Sequence, residues 1–229
     1  MGFLDYERFL TAYQPPRHSL ARGVRAAIAD QQRGRSRLVA AGLGPSLSGK
    51  QTWQADIEIP AGDKGTEETI RWMARFAVAG SRHPRVIELA HRLVRDTLHK
   101  DYRAQADAVL AHLKANVQYV RDPAGLELVQ EAAWTLFEAR AGDCDDHAVA
   151  ACALLLALGH PCAFRTVAER RAGLPWSEVL FRKRGFGHVY AAVNIDGRWL
   201  GVDSTVVGSH AGWEPPPSAV ARKKLWVIQ

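Results

Sequence analysis

The chain contains only three cysteines in 229 residues. That count is odd, and the spacings fit no zinc pattern, so neither a disulfide framework nor a structural zinc is expected. No apolar run approaches the ~20 residues that cross a bilayer, so no membrane span is expected. Met1-Gly2-Phe3-Leu4-Asp5-Tyr6-Glu7 lacks the basic start and apolar segment of a secretory signal, and the expected location is the cytoplasm. No internal repeat is found. Acidic residues are outnumbered, 24 against 30 Lys and Arg. The imbalance is local: residues 1–50 hold eight Lys and Arg against three acids, so nearly all of the net +6 lies there. This basic arm has no interleaved aromatics and no recognised binding motif, so nucleic acid is not an expected partner.

What is present is enough apolar residue, 47% of the chain, for one sizeable core with an appendage. The appendage opens with an amphipathic segment carrying Phe3, Leu4, Phe9, Leu10 and Tyr13, stopped by Pro15-Pro16. A second helix is expected over residues 19–32, and the Arg/Gly stretch 33–37 with the Gly-rich residues 42–49 reads as a linker. Residues 51–59 alternate apolar and polar, the pattern of a half-buried strand ending at Pro60. Amphipathic helices are expected from Thr66, over 83–98 and over 102–119, and pattern alone extends helix through much of 121–140. The division expected is therefore 1–49, basic helical appendage and linker, and 50–229, main domain.

The chemistry concentrates in Arg140-Ala141-Gly142-Asp143-Cys144-Asp145-Asp146-His147, followed by an apolar run from Ala148 to Leu158. Cys144 falls at a helix start, where free N–H groups and the helix dipole favour a thiolate, so a lowered thiol pKa is expected. Cys152 lies eight residues further along the same helix and Cys162 opens a strand; both are expected to be buried and inert. A thiol nucleophile needs a base, and the base an orienting group. His188 begins a strand running to Ile195, and Asp196-Gly197 is a hairpin turn. The returning strand from Arg198 carries Asp203 at its far end. Antiparallel pairing then sets Asp203 near Val189 or Tyr190, beside His188.

Gly-Asp-Cys-Asp-Asp-His, then Gly-His-Val-Tyr, then Trp-Leu-Gly-Val-Asp-Ser-Thr resembles the transglutaminase-like branch of the papain-type cysteine enzymes, most of all its small bacterial and tailed-bacteriophage members. The resemblance covers about residues 100–205. It implies an α+β fold, helices packed on an antiparallel sheet, and a Cys-His-Asp triad of Cys144, His188 and Asp203. It does not fix the substrate, because members include protein cross-linkers, proteases, peptide amidases and inactive relatives. No cofactor is expected; the triad would attack an amide of a protein or of a peptidoglycan peptide to give an acyl-enzyme, and hydrolysis by abundant water is the expected outcome. The family also makes residues 121–140 an irregular lead-in lining the cleft. Its upstream indole or polar side chain for the oxyanion would here be Trp134 or Gln130.

Other readings stand beside this one. The fold could serve as a structural or assembly component of a phage particle, docked through residues 1–49 and located in the virion, or as a protein cross-linking transglutaminase. Some bacterial relatives bind calcium beside a comparable acidic motif, which here would involve Asp143, Asp145 and Asp146, although the helix dipole alone accounts for acids at that point. The long basic loop over 169–187 is a candidate wall of the cleft that would select an acidic substrate.

Overall fold

The computed structural model describes residues 35–43, 52–60, 62–122, 126–169 and 186–228. The expected appendage helices, residues 44–49 and the basic stretch 170–185 lie outside them. In chain order come β1 (Arg35–Leu43), β2 (Thr52–Pro60), α1 (Asp63–Ser81), α2 (Pro84–Val94) and α3 (Tyr102–Asn116). Then follow β3 (Gln118–Tyr119), β4 (Leu126–Gln130), a π-helical turn (Trp134–Ala139) and β5 (Ala141–Gly142). The remainder is α4 (Cys144–Ala157), β6 (Cys162–Glu169), β7 (His188–Ile195), β8 (Arg198–Val202) and β9 (Val220–Val227).

The organising element is α4. Ala148 through Leu155 are all buried, so this helix is apolar on every side rather than along one stripe. Helices α1, α2 and α3 pack around it with Met73, Phe76, Val86, Leu89, Val109 and Leu113. The four-stranded antiparallel sheet, in the order β8-β7-β6-β9, covers another side with Phe164, Ala191 and Val193. This is the α+β arrangement of helices on an antiparallel sheet. The crossing of α1 over α4 is close: a Cβ on Gly80 would lie 2.7 Å from the Cβ of Ala132 and 3.1 Å from that of Ala153. Cys152 and Cys162 are both fully buried in this core.

Two stretches depart from the pattern reading. Residues 35–43, read as part of a linker, form the middle strand of a second sheet, β2-β1-β4. Leu38, Val39 and Ala40 are consecutive and all buried, because a middle strand covered on both faces shows no alternation to recognise. The division at 49/50 therefore cuts a β-hairpin. Its strand β1 pairs parallel with β4, from Arg37 opposite Leu126 to Ala41 opposite Gln130. For the same reason residues 126–130 are strand and not helix: their partner is a strand the sequence does not advertise. The third helix also stops at Asn116 rather than 119, since Gln118–Tyr119 pair with Ala141–Gly142. Leu38→Ala should accordingly cost about 2–5 kcal/mol, the range for emptying a buried leucine site, measured as a fall in the urea midpoint at unchanged slope. A cost within error would mean that β1 contributes nothing to the main core.

Candidate active site

Cys144 is the first residue of α4, and a reciprocal capping box fixes that helix start. The Asp143 side chain accepts from the Asp145 amide at 3.0 Å, and the Asp146 side chain accepts from the Asp143 amide at 3.3 Å. Asp146 also accepts the Gln130 amide at 2.8 Å and Gln130 Nε2 at 2.6 Å, which ties the nucleophile turn to β4. Gly142 is required by this close approach: a Cβ there would sit 2.4 Å from the Cβ of Asp146.

His188 opens β7. The Asp196-Gly197 turn has positive φ at both positions, 51° and 80°, and puts Ala191 opposite Val202, so Asp203 leaves β8 at the level of the histidine. His188 Nε2 and Asp203 Oδ2 are 2.7 Å apart, with Asp203 only 1% exposed. The other carboxylate oxygen accepts the Thr205 amide at 3.0 Å and Thr205 Oγ1 at 2.7 Å. Burial opposes ionisation of Asp203, but the hydrogen bonds and charge supplied by His188, with those from Thr205, outweigh it and hold the carboxyl below its ordinary value. The Cys144 sulfur lies against the backbone of Val189, the residue after His188, whose hydrogen bond favours the thiolate. All three expected residues are thus gathered at one end of α4, where it meets the start of β7.

The thiol itself departs from expectation. Burial, followed by the charges of Asp145 and Asp143, pushes Cys144 well above the ordinary thiol value. Its Sγ donates toward Asp145 Oδ1 at 3.4 Å. The helix start is outweighed here by burial and by the carboxylates packed around the sulfur. Asp143 is itself raised to about 7, by burial and then by Glu127. Asp145 is raised by burial and by Glu127, with which it shares a hydrogen bond, and Asp122 and Asp146 are raised chiefly by burial. Burial and the neighbouring acids therefore favour the protonated thiol at this helix start.

Neither oxyanion candidate is placed to act. Gln130 is fully buried, and its side-chain N–H groups go to Asp146 Oδ2 and, at 3.3 Å, to the Ala141 carbonyl. Trp134 packs in a buried cluster with Val39, Val120, Leu128 and Ala141. Both are structural supports of the nucleophile turn. A calcium ion also fits poorly. Asp143, Cys144 and Asp145 bring ligand atoms within 4.8 Å of one another, but one donor is a soft sulfur, whereas calcium takes six to eight oxygens. Both Asp146 oxygens are already committed.

Tyr119 and His147 also stand at the site, with no role legible in the sequence. Tyr119 pairs in register with Gly142, and burial together with the charges of Cys144 and Asp143 raises its phenol to about 12. Its only sequence signal, a place at the end of an amphipathic stretch, suggested helix. No helix among the described residues is long and apolar enough to cross a membrane.

The model of one protein family, described as the transglutaminase-like superfamily, matches residues 87–204. No curated protein matches the chain. Among solved structures, one from Cytophaga hutchinsonii, named as a candidate cysteine protease, is 18% identical; the match covers 84% of this chain and 73% of that one, with a TM-score of 0.41. Another, from Parabacteroides distasonis and named as a candidate protease, is 12% identical; that match covers 74% of this chain and 37% of the other, with a TM-score of 0.43.

Proposed function

Because the chain belongs to the transglutaminase-like superfamily, we propose that it is a cysteine-dependent amide hydrolase working through Cys144, His188 and Asp203. The observation that carries this reading is the 2.7 Å bond between His188 Nε2 and buried Asp203, formed beside the thiol of Cys144. That bond occupies Nε2 and leaves Nδ1 as the nitrogen free to take the thiol proton. The thiolate then attacks the amide carbonyl carbon, and His188 returns the proton to the departing amine. Asp203 offsets the charge on the imidazolium. Water, deprotonated by His188, cleaves the thioester and regenerates the thiol. For the oxyanion the proposed donor is the Cys144 amide, because the capping bonds of α4 go to Asp145 and Asp146 and do not use it.

The substrate class proposed is a peptide or protein amide, with water as acceptor. Nothing among the described residues forms a dedicated amine site that would compete with ~55 M water.

The test is alkylation. Iodoacetamide should label Cys144 at neutral pH far faster than fully buried Cys152 and Cys162. Since the thiol is raised, the rate should climb with pH and show no plateau in mild acid. His188→Gln should slow labelling at neutral pH. Labelling that ignores His188 would remove it as the base.

A further inference from the structure

We propose that His147, one helical turn beyond the nucleophile, is a positioning residue that keeps Asp203 in line with His188, acting through its hydrogen bond to Ser204. This rests on the triad reading above. His147 Nδ1 lies 2.7 Å from Ser204 Oγ, and Ser204 follows Asp203 directly in the chain. Next to the acid, Thr205 bonds the Asp203 carboxylate and the Ser209 hydroxyl bonds the Asp203 carbonyl, both within the loop, while further along Lys114 and Asp107 of α3 hold the Ser209 carbonyl and the Ala211 amide. The His147 bond instead crosses to the helix that bears Cys144.

The position is otherwise apolar. His147 is 3% exposed, at the head of a run from Ala148 to Leu155 that is wholly buried. A polar ring there costs free energy unless a hydrogen bond compensates it, and an apolar side chain of similar size would cost less. Burial drives the imidazole down to about 4, against opposing contributions from the Gln118 backbone and the charge of Asp203. At neutral pH the ring is therefore uncharged. It acts on Asp203 as a neutral hydrogen-bonding strut, not as a second cation competing with His188. Its ring stands 6.2 Å from that of Tyr119, which flanks the nucleophile turn on the other side. Residues three apart on a helix share a face, so the His147 bond links the face that presents Cys144 to the loop that carries Asp203.

The experiment compares iodoacetamide labelling of Cys144 across pH in the wild type, His147→Phe, His147→Asn, Ser204→Ala, the His147→Phe/Ser204→Ala double variant and His188→Gln. His147→Phe and Ser204→Ala should each slow labelling at neutral pH by about tenfold to a hundredfold, the cost of a small misplacement of a reacting group. His147→Asn, which keeps a polar atom near the Nδ1 position, should recover most of the rate. The double variant should be no slower than the worse single one, because both remove the same link. Should His147→Phe fail to fold, Ser204→Ala, a partly exposed hydroxyl, carries the same comparison. If the His147 and Ser204 variants lower the melting temperature but follow the wild-type pH profile while His188→Gln is slow, the strut is merely structural and the inference fails alone. If His188→Gln also labels like wild type, the triad reading fails and takes the inference with it.

Discussion

Asp203→Asn should lower hydrolysis of a peptide amide by about 10⁴-fold while leaving the fold intact, the loss measured for the corresponding acid in serine triads. Asparagine fills the same space but can present an N–H to His188 Nε2, which moves the imidazole proton to Nδ1, where it blocks the Cys144 proton. It also removes the charge that offsets the imidazolium. The carboxylate's contribution to stability has the ordinary sign. Its pKa is depressed in the folded protein, so the stabilisation is present above the unfolded carboxylate range and is lost as pH falls through the folded value. The variant should therefore approach wild-type stability in strong acid. A near-wild-type rate at neutral pH would remove Asp203 from the mechanism.

The second large effect concerns stability against pH. Asp122, Asp143, Asp145 and Asp146 all have raised pKa values, with Asp143 at about 7. In the folded state they bind protons that the unfolded chain releases near pH 4. Such groups stabilise below the unfolded pKa, and the contribution is lost as pH rises through the folded values. Four histidines, His83, His112, His147 and His160, are lowered, mainly by burial, and act in the opposite direction. The unfolded chain protonates them below about 6.5, so stability from this source grows up to that pH and then levels off. Between about pH 4 and 6.5 the two sets oppose each other; above 6.5 the histidine contribution has levelled off while Asp143, at about 7, still changes. Asp143, titrating at about 7, should lower the melting temperature from pH 6.5 to 8 by about 2–3 °C for a chain of this size. Asp143→Asn should flatten that fall, and Asp145→Asn should lower the Cys144 pKa, since after burial Asp145 is the largest charge acting against the thiolate. A melting temperature that rises over this interval would mean that the acids are not packed as described.

The legible parts of the molecule were those set by local rules. Asp196-Gly197 fixed a two-residue turn, the turn fixed the register, and the register brought Asp203 to His188. The helix start at Cys144 was readable from Asp143 and the apolar run behind it. Strand β2 was readable from its alternation, with Pro60 at its end as expected. What escaped depends on partners distant in sequence. β1 shows neither alternation nor helical period, because β2 and β4 flank it and its centre is buried. β4 looks helical until β1 is placed beside it. Gln130 has the chemistry of an oxyanion donor, but its amide is spent on Asp146 and Ala141, which only the packed structure reveals. The thiol pKa is illegible because its largest cause is burial, which only the packed structure shows; the adjoining Asp145 and Asp143 push the same way.

The parallel pairing of β1 with β4 bears on the order in which the protein can assemble. Its partners, such as Arg37 and Leu126, are separated in the chain by three helices, so the entropy of closing that loop must be met before any strand contact offsets it. The hairpin of β7 and β8 and the packing of the helices are local by comparison and can form early. Gln130, at the end of β4, anchors Asp146 and through it the turn that presents Cys144. His188 and Asp203 can therefore be in place while the Cys144 turn still waits for strand β1. Reactivity would then be the last property the refolding chain acquires, after its helices and its main sheet.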